Sequence, residues 1–250
     1  MIVLQLLLNY IIIIGKFKLD LFFERKIAKM EDCKISNLYN LDESIAKPLL
    51  EKYTYPWEVL PHIEEFILEL GKSLNKEEYE QIGENVWIHK TAKVYKSAYI
   101  GENCIICEGA EVRHCAFIRK NAIIGKDTVV GNSTELKNVI LFNNVQVPHY
   151  NYVGDSILGF KSHMGAGSIT SNIKSDKKPI IIKDGEQKIE TGMKKIVAMV
   201  GDNVEVGCGS VLNPGTIIGK NTNIYPLSSV RGVVKPNSIY KNKNEIVEKM

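Results

Sequence analysis

Large apolar residues recur at every sixth position between positions 82 and 142 of this chain. Four positions after most of them stands a small or β-branched residue, such as Ala92, Ala98 or Cys104. A period of six matches neither the 3.6-residue turn of an amphipathic helix nor the two-residue alternation of an ordinary strand. The large apolar positions are Ile82, Ile88, Val94, Ile100, Ile106, Val112, Ile118, Ile124, Val130, Leu136 and Phe142.

A six-residue apolar period is typical of a parallel β-helix, in which each hexad forms one flat side and its large residue points inward. Three such sides make a coil of about 18 residues. The period resumes at Leu158, Met164 and Thr170, and again from Val200 to Val230. The sequence therefore predicts a mainly β chain that forms a triangular prism of about seven coils, stacked about 4.8 Å apart.

The rest of the chain divides around this prism. Residues 30–80 show apolar residues at three-to-four spacing, which predicts a short helical segment. Residues 81–240 hold the β-helix, and an insertion at 171–199 interrupts it. Within the insertion, "PIIIKDGEQKIET" predicts two strands joined at Asp184-Gly185, a hairpin that protrudes from the prism. Residues 241–250 are expected to form a polar tail.

The first 29 residues are interpreted separately. "MIVLQLLLNYIIII" is strongly apolar, but its 14 residues are fewer than the roughly 20 that span a bilayer, and no basic region precedes it. We expect Met30 to be the true start, with residues 1–29 a doubtful leader.

Composition excludes some partners and suggests a compartment. The net charge of +3 gives no electrostatic case for nucleic acid or for an anionic membrane surface. Five cysteines, an odd number at low density, indicate reduced thiols and a cytoplasmic protein.

The repeats "IGENCI" and "IGKDTV" resemble those of the hexapeptide-repeat acyltransferases. More narrowly, "TELKN", "HYNYVGD" and "GAGSITSN" resemble the acetyltransferase half of the bacterial bifunctional N-acetylglucosamine-1-phosphate uridyltransferase and glucosamine-1-phosphate acetyltransferase. The narrower similarity covers about 60 residues, from Arg119 to Lys178. The resemblance implies a left-handed β-helix, a homotrimer, acetyl-CoA as co-substrate and an amino-sugar phosphate or nucleotide-linked amino sugar as acceptor.

The same resemblance implies the catalytic residues. His149 of "HYNY" would be the general base and Glu135 would lie near it, while Tyr152 would contact the sugar. An imidazole that accepts a proton near neutral pH suits an amine that attacks a thioester. His163 could line the same cleft and is the second candidate for the base.

The resemblance also implies residues that bind the two substrates. Arg119 and Lys137 would hold the phosphate of the acceptor, and Lys178 would be a further anion contact. Ala166 of "GAG" and Asn172 would lie beside the CoA arm.

Two departures from the family pattern concern the CoA site. Cys208 stands where the family often has a serine beside the CoA thiol. Bulky Tyr225 and Pro226 stand where small residues usually admit the pantetheine arm.

Spacing alone gives one further argument for the phosphate site. Arg119 and Lys137 each follow an inward residue, and their separation of 18 predicts that they stack on one face in consecutive coils. Two cations about 4.8 Å apart repel each other unless an anion bridges them. The alternative is a pair of solvated surface cations.

The period loses register near the predicted base. Counting 18 from Phe142 predicts an inward residue at position 160, but the pattern restarts at Leu158. We therefore expect two residues to be missing from a coil around "VPHYNYVGD", with Pro148 inward and His149 outward. Irregular segments of this kind often mark functional sites.

Other functions remain open at this stage. One is a noncatalytic or regulatory β-helix that binds a sugar phosphate, which Tyr225 and Pro226 favour. A metal-dependent carbonic anhydrase on this fold needs three converging histidines, and the five in this chain show no suitable spacing, so no metal is expected. No glycine-rich nucleotide loop precedes the repeats, so we expect no uridyltransferase activity. The histidines are His62, His89, His114, His149 and His163.

Overall fold

A computed structural model describes residues 31–174 and 176–249 of the chain. These residues form a left-handed parallel β-helix of about nine turns, which confirms the predicted fold class. The covered face and the second face described below each contain eight parallel strands, and one antiparallel strand is added at each end, so the count exceeds the predicted seven. In the described residues no helix is long and apolar enough to cross a membrane.

Three faces and three edges make up the prism, and every face is a parallel ladder of short strands. One face, here called the covered face, is formed by Val86–His89, Cys104–Ile106, Ala198–Val200, Thr216–Ile218 and Val233–Val234, together with the last residues of Phe117–Ile124, Glu135–Leu141 and Tyr152–Leu158. The second face is formed by Lys93–Val94, Glu111–Val112, Val129–Asn132, Gln146–His149, His163–Met164, Glu205–Val206, Asn223–Ile224 and Ser238–Asn242. The third face is formed by Tyr99–Ile100, Ile169–Thr170, Val211–Leu212 and Ser229–Val230, with the first residues of the three long strands.

Of the two missing residues, one lies at the end of "VPHYNYVGD" and the other precedes this stretch, and neither lies beside His149. The register pairs Ile124 with Leu141, so the step between the inward residues Leu136 and Leu141 is five residues instead of six. A second five-residue step separates Val153 from Leu158. Both shortened steps lie at the edge between the third face and the covered face, whereas the coil through "VPHYNYV" keeps regular steps of six.

This register corrects two predicted inward positions. Val147 pairs with the inward Val130 and is fully buried, so Val147 is the inward residue and Pro148 is not. Phe142 follows the inward Leu141 and packs on Tyr39 of the N-terminal segment, with ring centroids 5.0 Å apart.

The covered face is apolar on its outer side as well as its inner side. Its outward row includes Ile105, Ile123, Ile140, Ile157 and Met199, all fully buried. A strand that is apolar on both sides must be covered on both sides. The N-terminal segment supplies this cover with the α-helices Ile35–Leu38, Lys47–Leu50 and Ile63–Ser73 and the 3-10 helices Leu41–Glu43 and Pro56–His62.

Asp202 fastens the N-terminal segment to the prism. Its carboxylate accepts hydrogen bonds from the backbone N–H of Asn40 at 2.7 Å and of Phe160 at 2.9 Å, and Lys220 lies 3.1 Å away. Burial raises the pKa of this carboxyl, while Lys220 and the backbone donors oppose the rise.

The insertion contains the predicted hairpin. Ile181–Asp184 pairs antiparallel with Gln187–Glu190, and the two-residue turn is Gly185-Glu186 rather than Asp184-Gly185. The hairpin does not protrude, because Ile180 and Ile182 are buried and a Cβ on Gly215 would lie 2.9 Å from Ile180. It therefore extends the cover toward the later coils.

The ends of the prism differ from the prediction. Helical structure ends at Ser73, and Tyr79–Gly83 pairs antiparallel with Val86–His89. Ile82 lies in this end strand and is 55% exposed, so the inward series begins at Ile88 and not at Ile82. At the other end, Glu245–Glu248 of the expected tail pairs antiparallel with Ser238–Asn242.

All five cysteines are free, and three of them are buried. Burial raises the pKa of Cys33 and Cys104 from the ordinary 9.0 to about 12, and that of Cys107 to about 11. The folded chain thus holds these thiols neutral, so their stabilising contribution is complete below pH 9.0 and is lost as the pH rises toward these values.

We therefore expect the free energy of unfolding to fall between about pH 9 and pH 11, by about 1 kcal/mol per pH unit for each thiol. Urea titrations across this range test the expectation. The Cys104→Ala variant is the control, because Ala122 occupies the matching position one coil later. If the free energy of unfolding falls with pH as steeply in the variant as in the wild type, the Cys104 thiol does not contribute to the pH dependence.

Candidate functional site

His149 lies on the edge between the second and third faces, here called the His149 edge. One backbone hydrogen bond per coil follows this edge, each from an N–H to the carbonyl of the coil before. Gly167 donates to His149 at 3.0 Å, Gly209 to Ala166 at 2.9 Å, and Leu227 to Cys208 at 2.9 Å. The structure therefore brings three predicted site residues, His149, Ala166 and Cys208, to equivalent positions of consecutive coils. At about 4.8 Å per coil, His149 and Cys208 are about 10 Å apart.

Asn151 braces this edge from inside and was missed by the sequence analysis. Its side chain is almost fully buried in a slot that holds small residues in other coils. Its amide oxygen accepts from the His149 backbone N–H at 3.1 Å, and its amide nitrogen donates to the carbonyls of Gly165 at 2.9 Å and Ser168 at 3.1 Å. An asparagine in a slot otherwise filled by Ala, Ser or Thr was the available signal.

The His149 side chain is exposed to solvent, and within the described chain no hydrogen bond joins its ring to another residue. Glu135 lies on the third face, and its carboxylate pairs with Arg119 at 3.0 Å, not with His149. His163 lies on the second face, where its Nδ1 is 2.8 Å from Glu205. The structure thus leaves His149 free to meet a ligand and gives His163 a partner of its own.

The register overturns the spacing argument for Arg119 and Lys137. The irregularity between Ile118 and Lys120 pairs Lys120, not Arg119, with Lys137. Each predicted phosphate ligand also has its own carboxylate: Arg119 pairs with Glu135, and Lys137 pairs with Asp155 at 3.4 Å. Repulsion between the two cations therefore gives no evidence for a bridging anion.

Tyr152 and Asn172 meet at the edge between the third face and the covered face. The Asn172 amide donates to the Tyr152 hydroxyl at 3.2 Å and to the Asp155 carboxylate at 3.1 Å. Burial, with smaller contributions from Asp155 and Glu135, raises the pKa of Tyr152. The hydroxyl therefore stays protonated at neutral pH and can donate a hydrogen bond to a ligand.

The remaining predicted residues lie farther along the chain. Lys178 is exposed within the insertion. Pro226 follows Cys208 on the His149 edge, and the neighbouring Tyr225 and Leu227 are 45% and 84% exposed. Bulky side chains thus project from the edge one coil beyond Cys208.

Across 31–174 and 176–249, no group of three or more His, Cys, Asp or Glu residues is arranged to hold a metal ion.

The coils, the turns at their edges and the six-residue period together define a hexapeptide-repeat β-helix protein. Residues 81–114 match the family described as bacterial transferase hexapeptide (six repeats), and residues 102–185 match the family described as GMPPB C-terminal domain. Both families match parts of the prism, and together they cover residues 81–185 of the chain.

Several curated proteins share part of this sequence. The Bifunctional protein GlmU of Methanococcus aeolicus is 35% identical over 115 residues, which are 46% of this chain and 28% of that protein. The bifunctional sugar-1-phosphate nucleotidylyltransferase/acetyltransferase of Sulfurisphaera tokodaii is 32% identical over 92 residues, 37% of this chain and 23% of that protein. The chain thus spans about a quarter of the length of these relatives.

Among solved structures, the acetyltransferase domain of PglB from Neisseria gonorrhoeae in complex with acetyl coenzyme A is similar at 15% identity, with a TM-score of 0.29. That similarity covers 65% of this chain and 57% of the other.

Proposed function

We propose that this protein is an acyltransferase that moves an acetyl group from acetyl-CoA to the amine of an amino-sugar phosphate or a nucleotide-linked amino sugar. The observation that carries the proposal is the row of His149, Ala166 and Cys208 on one edge. The partial similarity to two bifunctional proteins, one of which carries acetyltransferase in its name, supports the same class. A homotrimer and a cytoplasmic location belong to this proposal, the latter because the cysteines are free.

The chemistry assigned to the chain is proton transfer and positioning. Acetyl-CoA supplies an acyl group whose thioester an amine can attack directly, so no acyl-enzyme is needed. His149 takes the proton from the acceptor nitrogen as that nitrogen bonds to the carbonyl carbon. The carbon–sulfur bond then breaks, and His149 returns the proton to the departing thiolate.

We assign the binding of CoA to the His149 edge, and the binding of the acceptor to the edge between the third face and the covered face. Ala166 and Cys208 would flank the CoA arm, since a small side chain and a thiol leave room beside His149. The resemblance implies that Asn172 lies beside the CoA arm, but its amide donates to the Tyr152 hydroxyl at 3.2 Å, so we assign it to the acceptor instead. Tyr152, Lys137 and Arg119 would meet the acceptor with it, and Lys178 and Glu135 would be outer contacts.

Alkylation of cysteines tests the CoA site without requiring turnover. Cys208 and Cys115 are both exposed, free and close to the same edge, but Cys115 lies several coils away from Ala166. We expect saturating acetyl-CoA to slow carbamidomethylation of Cys208 several-fold and to leave Cys115 unchanged, as measured by peptide mass spectrometry. Equal rates at Cys208 with and without acetyl-CoA would exclude this position as the CoA site.

Turnover then identifies the acceptor. Acetyl-CoA consumption with a panel of amino-sugar phosphates and nucleotide-linked amino sugars should show activity with at least one of them. Loss of CoA binding and of all turnover would refute the proposal.

A second candidate is a noncatalytic or regulatory β-helix protein that binds a sugar phosphate. The exposed Tyr225 and the Pro226 beside Cys208 favour it, because bulky side chains there narrow the path for a pantetheine arm. Calorimetry distinguishes the two functions: heat on adding a sugar phosphate, with none on adding acetyl-CoA, would establish the second.

A further inference from the structure

We propose that Asp155 is the positioning residue of the acceptor site, and that it fixes Lys137 and Asn172 in the orientation that receives the acceptor. This inference rests on the proposed function. Asp155 does not face the acceptor itself, because it is 4% exposed and lies beneath these two side chains.

In the four coils before it, the position of Asp155 is filled by asparagine. In these five coils the edge between the third face and the covered face turns through a left-handed residue, with φ of 56° at Asn85 and at Asn103, 53° at Asn121, 54° at Asn138 and 47° at Asp155. Asparagine tolerates this conformation well and so does aspartate. The backbone therefore does not require the change to a charged residue in this one coil.

The partners of the carboxylate explain the change. One oxygen of Asp155 accepts from the Asn138 amide at 3.1 Å. The other accepts from the Asn172 amide at 3.1 Å and from the Lys137 ammonium at 3.4 Å. All three partners donate, so the residue must accept on both sides, which a carboxylate does and an amide does not.

An asparagine here would satisfy only half of this arrangement. Its oxygen could continue the ladder with Asn138, as Asn121 does when it accepts from Asn103 at 3.2 Å. Its NH2 group would then face two donors. Asn172 can rotate its amide to offer an oxygen, but Lys137 has only donors and would lose its anchor.

Asp155 also holds both ends of the insertion. Its carboxylate binds Asn172, where the chain leaves the prism, and its backbone carbonyl accepts from Val197 at 3.0 Å, where the chain returns. The side chain of Asp155 thereby sets the direction in which the insertion starts beside Tyr152. The turn itself does not require a hydrogen bond to the Asn172 amide, so this contact indicates a further role for Asp155.

The test replaces Asp155 with asparagine, the residue that the same edge uses in other coils. Asp127→Asn is the matched control, because Asp127 is also a left-handed edge residue, with φ 53°, but is exposed on another edge. We expect both variants to fold with a thermal midpoint close to that of the wild type.

Amine labelling reads the position of Lys137 directly. Lys137 is 18% exposed while it is paired with Asp155. With a limiting dose of an N-hydroxysuccinimide acetate reagent, we expect labelling of Lys137 to rise several-fold in Asp155→Asn and not in Asp127→Asn. Lys120, its register neighbour, should be unaffected in both variants. Unchanged labelling of Lys137 would overturn the inference.

Steady-state kinetics measures the effect of Asp155→Asn on acceptor binding. We expect Asp155→Asn to raise KM for the acceptor about ten-fold, the size of one charged hydrogen bond, with little change in kcat or in KM for acetyl-CoA. A general loss of kcat, or no change at all, would overturn the positioning role. Absence of turnover in the wild type would instead refute the proposed function, and the labelling experiment would still decide whether Asp155 holds Lys137.

Discussion

The His149→Ala variant is expected to lose about 10²-fold to 10⁴-fold in kcat, the usual contribution of a general base. Its KM for acetyl-CoA should change little, because Ala166 and Cys208 lie in other coils and the variant leaves their backbone ladder intact. The fold should survive as well, since the His149 side chain is exposed. The measurement is release of CoA, followed by chromatography, with the acceptor that the wild type uses best.

His163→Ala is the matched control for this prediction. It removes an imidazole from the neighbouring coil, where the ring pairs with Glu205 on the second face. We expect its kcat to stay within about three-fold of the wild type, because a surface residue outside the site contributes little. Full activity in His149→Ala together with loss in His163→Ala would assign the base to His163.

The Ile140→Ala variant is expected to lower the free energy of unfolding by about 2 to 5 kcal/mol. Ile140 points away from the prism interior, yet it is fully buried under the N-terminal segment. Its truncation leaves a cavity between the segment and the coils. Urea unfolding measures the loss, and proteolysis should cut the N-terminal segment of the variant earlier than that of the wild type.

Ile169→Ala removes the same atoms from an outward position on the third face, where the isoleucine is 36% exposed. Its expected cost is below about 1 kcal/mol, as for most surface substitutions. Equal losses of unfolding free energy in the two variants would contradict the burial of the covered face under the N-terminal segment.

The six-residue period was sufficient to predict a parallel β-helix, because one large residue points inward in nearly every hexad. It was not sufficient to fix the register beyond Leu136. Leu141 and Phe142 are both large and apolar, so a one-residue shortening between them leaves no visible gap in the sequence pattern. The sequence pattern therefore shows the combined loss of two residues only at Leu158, which places both in the coil around "VPHYNYVGD", although only the second lies there.

The covered face was predictable but was not predicted. Its strands carry three consecutive apolar or small residues, as in "CII", "AII", "VIL" and "AMV", whereas the other faces alternate. A strand of that kind is buried on both sides. A search for one large inward residue in every six does not consider the middle residue of these triplets. That middle residue points outward, and its apolar character indicates that the outer side of the face is covered.

The candidate site was predicted unevenly. The resemblance indicated His149, Ala166 and Cys208, and the structure brings them to one edge. Asn151 and Asp155 were missed because their importance lies in contacts with residues 14 to 42 positions away. The supposed stacking of Arg119 and Lys137 failed, since an 18-residue spacing does not survive an irregular strand.

Antiparallel strands close the parallel stack at the two ends of the described prism. A parallel stack has no inherent end, and a bare terminal coil would offer its N–H and C=O groups to another chain. Tyr79–Gly83 closes the ladder at one end on the covered face, and Glu245–Glu248 closes it at the other end on the second face. The strand Glu245–Glu248 is exposed along its whole length and carries Glu248 and Glu245, which pairs with Lys241. Charged side chains on an edge strand disfavour the addition of another strand.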